Sequence, residues 1–465
     1  MKKHLHLLLA LLASAALTAQ APDGQAQTYD LPSAIEYALA NHNSMKYAAM
    51  DVAAAEAQSR EYTAIGIPKL EANIDYQYYP NIPVSVLPDF IGPVVDGRLL
   101  QLGLIDPSQV NTDVRFFPAK FGTNNRLSGS LDFSALVFDG SYFVGLRAIK
   151  SLKDLNVSKV GAARQDIRLN VTKAFYTVLA TNIGLETLDK NIGNLDKLLG
   201  ETKAFQKAGF VEQLDVDRLE LSLRNLRSER DILARQQATA LNLLKFQMGY
   251  PMDQPIRIGG AVNDYLGEPT EEDLTGTVAY SNRIEYELLN KQLKLNELNI
   301  ERYQVSYYPS VFAFASYSQV LLRNNLFNSN EVGFNPSSVI GLSLKAPIFD
   351  GFDRKAKIDR AKIDRDRVGL QIGDFERAMM LQVMNARTTY VNARARLDDR
   401  RATVELAQRI YGTTQIKVRE GVGSSLELNA AERELYTAQA NFLNAVYDCL
   451  VAKADLEYAL GNMDN

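Results

Sequence analysis

From Phe352 to Glu420 the chain runs for about seventy residues without a proline, and the segment that feeds this run alternates, with Ile340, Leu342 and Leu344 set against Ser343 and Lys345. A period of two predicts a strand with one apolar and one polar face, and the proline-free run after Ile348-Phe349-Asp350-Gly351 predicts helix. At about 1.5 Å per residue that helix reaches on the order of 100 Å, far beyond the diameter of an ordinary domain. After Gly421 and Gly423 a second helix is expected as far as Gly461. Its apolar residues fall at Leu428, Ala431, Leu435, Ala438, Phe442, Ala445, Cys449, Ala452, Leu456 and Ala459. Spacings that alternate three and four are the heptad seam of a coiled coil.

The same pattern occurs earlier in the chain. Val137-Phe138-Asp139-Gly140 matches Ile348-Phe349-Asp350-Gly351, Gly209 matches Gly421, Leu214-Asp215-Val216 matches Leu426-Glu427-Leu428, and Gly249 matches Gly461. The register holds over the whole span, which predicts two copies of one unit. The repeats are placed at 22–260 and 261–465. In the first, strands are expected near 68–79 and 126–138 with a helical hairpin over 140–249. In the second, strands are expected near 309–320 and 337–349 with a hairpin over 352–461.

The composition narrows the function classes. A net charge of −4 with 23% charged residues indicates neither a nucleic-acid surface nor an acidic tail. There are three histidines, two of them within the first ten residues, so a histidine-based catalytic or metal site is all but excluded, and no cofactor is expected. His42 falls at a helix break, aligned with Arg283, where a solvated loop role is expected. Cys449 is the one cysteine, sits on the heptad seam as a packing residue, and makes no internal disulfide.

Residues 1–21 read as a secretory signal peptide, with Lys2 and Lys3 before an apolar run from Leu5 to Leu17. Past it, no stretch approaches the length of apolar sequence needed for a helical membrane span. Asp30-Leu31-Pro32-Ser33 predicts a helix start, with a short helix to about Asn43 and another to about Ile65. The counterpart in the second half begins near Glu271, breaks at 281–283 and continues to Tyr308-Pro309.

The clearest strand signal follows Pro68, where Leu70, Ala72, Ile74, Tyr76 and Tyr78 oppose Glu71, Asn73, Asp75 and Gln77. Leu127–Val137 alternates similarly, whereas Val311–Gln319 carries Phe312 and Phe314 on the face that the repeat assigns to polar groups. Strands of about ten residues suit a tilted crossing of a bilayer. The same alternation fits a half-buried sheet in a soluble sandwich. The aromatic residues Tyr76, Tyr78 and Tyr79 near one strand end and the signal peptide favour the membrane. Four strands have two open edges, which lipid does not tolerate, so several chains are expected to share one barrel. The long link Asn81–Asn125 and the shorter Leu321–Pro336 are expected as extracellular caps. For the longer link, a small inserted motif with a ligand role fits as well.

With these features together, the sequence resembles the outer-membrane efflux proteins, the TolC-like family. The resemblance spans essentially the mature chain. It is carried most specifically by Pro309, by Ile348-Phe349-Asp350-Gly351 and by the run from Gly421 to Arg433. It implies a mainly α fold with membrane β: internally duplicated, with four membrane strands and long coiled-coil hairpins per chain. The implied assembly is a homotrimer whose twelve-stranded β-barrel continues into an α-helical barrel. The implied function is a passive, non-enzymatic duct in the outer membrane of a Gram-negative bacterium. Such a duct serves a tripartite efflux or type I secretion system, with a periplasmic adaptor and an inner-membrane pump as partners. A stalked secreted enzyme or binding protein and a non-conducting structural or adhesive outer-membrane protein share the same sequence signals.

The resemblance also implies two sites. Gly209, Phe210, Gly421, Val422 and Gly423 mark the distal turns where an adaptor docks; their plainer role is to reverse the chain. Asp215 and Glu427, with Asp217 nearby, are candidates for acidic rings at the periplasmic entrance. An acidic residue in a first helical turn is also stabilised by about 0.3–1 kcal/mol through the helix dipole alone. Ala430 stands where the family carries a second aspartate, so a ring of paired carboxylates is not carried over.

Overall fold

The computed structural model describes residues 27–110, 116–327 and 332–463. The expected signal peptide lies outside them. In chain order the elements are β1 (Gln27–Tyr29), α1 (Leu31–Asn41), α2 (Asn43–Ala64), β2 (Lys69–Tyr78), β3 (Val84–Pro88), α3 (Gly92–Gln101), β4 (Phe116–Lys120) and β5 (Asn125–Phe138). They continue with α4 (Gly140–Lys207), α5 (Gln213–Met248), β6 (Ile256–Ile258), α6 (Val262–Tyr265), α7 (Glu271–Thr275) and α8 (Ile284–Val305). The last are β7 (Ser310–Arg323), β8 (Asn335–Lys345), α9 (Asp353–Arg419) and α10 (Ser425–Leu460). Among the described residues, no helix is long and apolar enough to cross a membrane. The chain forms two compact units, one from the described parts of 1–56, 150–296 and 363–465, the other from 57–149 and 297–362. Each unit draws on both halves of the sequence.

The first unit is helical. Asp30 starts α1 through a capping box with Ser33, whose backbone N–H donates to Asp30 Oδ1 at 3.0 Å while Ser33 Oγ accepts from the Asp30 N–H at 3.0 Å. The core gathers Val171, Phe175 and Val178 of α4, Leu244 and Met248 of α5, Leu397 of α9 and Leu450 and Leu456 of α10, with Ala34 and Ala38 of α1 against them. Every expected seam position of α10 is buried except Phe442, which is half-buried against the core. Cys449 is one of the buried ones, and burial pushes its thiol pKa up. β1 and β6 pair in parallel, Thr28 opposite Arg257.

Gly249 and Gly461 each end a helix in the left-handed region, at φ +66° and +77°. Each also packs tightly on a helix break: a Cβ at Gly249 would lie 3.0 Å from His42 Cα, and one at Gly461 would lie 2.5 Å from the Asn282 carbonyl. No side chain fits either place. His42 is the C-cap of α1, half-exposed, and its Nδ1 accepts from the Ser44 N–H at 3.1 Å. Arg283, at the corresponding break, is buried. Its guanidinium donates to both Glu285 carboxylate oxygens at 3.0 and 2.8 Å, to Gln382 Oε1 at 3.3 Å and to the Ala459 carbonyl at 3.3 Å. It also lies 4.6 Å from the Tyr458 ring centroid.

The second unit is built on one antiparallel sheet in the order β2-β5-β7-β8. The register sets Asn73 opposite Ser130, Asp132 opposite Ser316 and Ser318 opposite Ser337, so the polar residues of the four strands share a face. Phe314 also lies on this face, opposite Gly341, and its ring occupies the space a side chain at 341 would need: a Cβ there would lie 2.6 Å from Phe314 Cζ. This pairing accounts for Phe314, while Phe312 lies on the same face opposite Ser343. Strand β7 runs on to Arg323, four residues past Gln319. Strand β8 ends at Lys345, short of the expected Phe349, because Pro347 has no N–H to continue the ladder.

The repeated Phe-Asp-Gly sequences start the two longest helices. Asp139 Oδ1 accepts from the N–H groups of Ser141 at 2.7 Å and Tyr142 at 3.2 Å, and Asp350 Oδ2 accepts from the Arg354 N–H at 3.2 Å. The long link after β2 holds an antiparallel pair of its own, β3 with β4, and the helix α3.

Candidate functional site

Helices α4 and α9 end alike. At the end of α4 the Gly209 N–H donates to the Gln206 carbonyl at 3.0 Å and the Phe210 N–H to the Phe205 carbonyl at 3.0 Å. After α9 the Gly421 N–H donates to Val418 at 3.1 Å and the Val422 N–H to Lys417 at 3.0 Å. With φ of +81° at Gly209 and +77° at Gly421, both ends are Schellman motifs. No atom lies within 4 Å of a Cβ built at either glycine, so backbone conformation, not space, requires them. Gly423 differs, because a Cβ there would lie 3.0 Å from Lys417 Cβ and from the Val418 nitrogen. Phe210 touches the Phe205 ring, centroids 6.5 Å apart, yet remains 78% exposed, as does Val422. Arg419 Nη2 lies 3.4 Å from Glu201 Oε2 and joins the two helix ends.

The acidic candidates differ from one another. Asp215, in the first turn of α5, accepts a hydrogen bond from the Ser425 hydroxyl at the start of α10. Arg218, one turn on, donates to the same hydroxyl at 3.1 Å and lies 3.8 Å from the Asp215 carboxylate. Together they tie the starts of α5 and α10. Glu427 instead completes a capping box on its own helix: its N–H donates to Ser424 Oγ at 3.2 Å, and its carboxylate accepts from the Ser424 N–H at 3.5 Å. Asp217 is exposed and accepts from Gln213 Nε2 at 2.8 Å. The sequence offered one sign of the Asp215 link, the Asp-x-x-Arg spacing that puts Arg218 on the same helical face. Ser425 gave none, since its role depends on which helix lies opposite.

On the polar face of the sheet, Asp132 is a three-strand hub. It accepts from Asn73 Nδ2 of β2 at 3.0 Å, from Ser130 Oγ of its own strand at 2.6 Å and from Ser316 Oγ of β7 at 2.5 Å. The opposite face carries exposed apolar side chains, among them Ile74 at 82%, Ile340 at 87% and Leu342 at 74%. The outer edges of β2 and β8 have no partner strand among the described residues. No cluster of three or more histidine, cysteine or acidic residues able to hold a metal ion occurs among them either.

Residues 289–462 match the sequence model described as outer membrane efflux protein. The solvent efflux pump outer membrane protein SrpC of Pseudomonas putida is 22% identical over 447 residues, covering 92% of this chain and 84% of that protein. Among solved structures, CusC superposes with a TM-score of 0.72 at 16% identity, covering 95% of each chain. The Campylobacter jejuni CmeC outer membrane channel gives 0.68 at 16% identity, covering 96% of this chain and 90% of that one. The fold is therefore that of these channels.

Proposed function

We propose that the chain is an outer membrane efflux protein, a passive outer-membrane duct of a tripartite efflux or type I secretion system. The observation that carries the reading is the four-stranded sheet. One face is polar around Asp132, the other exposes aliphatic side chains, and neither edge has a partner strand among the described residues. In lipid each unpaired edge group costs several kcal/mol, so the sheet is completed by other copies of the chain. Three copies give twelve strands, enough for a water-filled interior, whereas two would give eight, a barrel filled by its own side chains. The relatives' names as pump outer-membrane proteins support a role beside a periplasmic adaptor and an inner-membrane pump, with no catalysis in this chain.

Within that reading the adaptor docks on the two distal turns. The exposed Phe210 and Val422 supply apolar contact, and Gly209, Gly421 and Gly423 set the turn geometry. Asp215, Asp217 and Glu427 tune passage of ions at the periplasmic entrance, and the Asp215–Ser425–Arg218 link holds the starts of α5 and α10 together in the resting form. The test is single-channel recording in planar bilayers with the purified protein. Stepwise, ion-selective currents are expected. A correctly folded, membrane-inserted protein without current steps would instead establish a non-conducting structural role.

A further inference from the structure

Glu432 sits on α10, seven residues after the helix begins, and is the most thoroughly buried charged-type side chain among the described residues, with 1% exposure. Neither carboxylate oxygen has a hydrogen-bond partner of normal geometry. Around it lie the small apolar cluster of Ala407, Leu435 and Ala438 and two tyrosines, Tyr411 from α9 and Tyr436 one turn on along α10. Tyr436 packs on this cluster and also on the leucine cluster of α4 and α5 around Leu195 and Leu223, so Glu432 lies where the two helical hairpins meet.

A buried, unpaired carboxylate is among the costliest groups a protein can hold, and the usual resolution is that it keeps its proton. Among the described residues no cation forms an ion pair with it. From α4, Lys190 lines the adjoining cavity of about 440 Å³, but its ammonium lies 2.7 Å from Glu186. The remaining titratable groups that act on Glu432 are the two tyrosines, neither of which carries positive charge. Burial pushes the Glu432 pKa upward, and a contact with Tyr436 offsets only part of that. Burial and Glu432 together hold the Tyr411 pKa up at about 12, so that phenol stays neutral as well.

We propose that Glu432 is a proton-operated latch in the seam between α9 and α10: with its proton it lets the helices close over it, and without it the carboxylate draws water in and loosens the hairpin near its distal turn. The adjoining cavity, lined by the polar groups Asn191, Gln439 and Tyr436, supplies room for that water. The direction follows from linkage. In the open form Glu432 is solvated and ionises in the ordinary glutamate range, near 4.3, whereas in the closed form it ionises only at higher pH. Between those two values the opening constant rises up to about tenfold per pH unit. Acid therefore tightens the seam, and neutral or alkaline conditions loosen it.

The test uses the full chain in detergent and two readouts. Infrared spectra at a pH just above the ordinary glutamate range should contain the carbonyl stretch of a protonated carboxylic acid that is missing from Glu432→Gln. Amide exchange over 404–411 and 428–436, corrected for its intrinsic pH dependence, should quicken as pH rises in the wild type and stay level in Glu432→Gln. Should Glu432→Gln fail to fold, Tyr436→Phe serves instead. Loss of the hydroxyl that favours the ionised form should move the onset of faster exchange to higher pH. Identical infrared spectra, or exchange in these segments that is independent of pH in the wild type, would overturn the proposal.

Discussion

Arg283→Met removes the guanidinium at the break before α8 while keeping a side chain of similar length. Arg283 is 3% exposed, forms two bonds to Glu285, and caps the C-terminal end of α10 through the Ala459 carbonyl. Removing one partner of a buried ion pair costs about 3–5 kcal/mol. The Glu285 side chain is 30% exposed, so water recovers part of the loss, and about 3 kcal/mol is expected. That is roughly a hundredfold in the ratio of folded to unfolded protein.

The assay is urea unfolding followed by the helical circular dichroism signal, because the chain has no tryptophan. Burial acts to raise the Glu285 pKa, but its bonds to Arg283 outweigh burial and leave it lowered. A lowered carboxylate contributes stability above its unfolded pKa and loses it as pH falls through the folded one. The penalty of Arg283→Met should accordingly shrink on acidification. In a double-mutant cycle with Glu285→Gln, a coupling above about 1 kcal/mol at neutral pH is expected. A single-mutant cost below about 0.5 kcal/mol, unchanged with pH, would refute the reasoning, since it would mean that the pair contributes nothing beyond its packing.

Three further outcomes are expected. Phe210→Glu or Val422→Glu should abolish export in cells while leaving the assembly intact, and export at the wild-type level would remove the docking assignment. Asp215→Asn with Glu427→Gln should lower cation selectivity and weaken block by multivalent cations; reversal potentials and block equal to wild type would leave both residues with only their helix-start roles. Gly341→Val forces the Phe314 ring from its place and should destabilise the sheet by about 1–3 kcal/mol, as overpacking does. The double change with Phe314→Ala, measured by the same unfolding assay, should recover part of that.

Much of the fold was legible because it rests on periodic or local signals. The α10 seam follows from the spacing of Leu428 to Ala459, and the matched Phe-Asp-Gly sequences reveal their purpose once Asp139 and Asp350 are seen capping the long helices. Pro347 could have been read as the end of β8, and the run to Phe349 overlooked it. What stayed hidden depends on the opposite helix. Asp215 and Glu427 look equivalent in the repeat, yet one crosses to Ser425 and the other closes its own cap. Arg283 reads as a loop residue aligned with His42 and proves to be a buried anchor. Glu432 reads as one polar residue in an amphipathic helix. Its burial follows from the packing of α9 and of Tyr436 around it, which no local pattern encodes.

The claim on which the functional account stands is that several copies complete the open sheet. Sedimentation equilibrium of the detergent-solubilised protein, corrected for bound detergent, measures this directly. The account predicts a single species of three chain masses. A monodisperse monomer would contradict it, because β2 and β8 would then face lipid with their backbone groups unpaired.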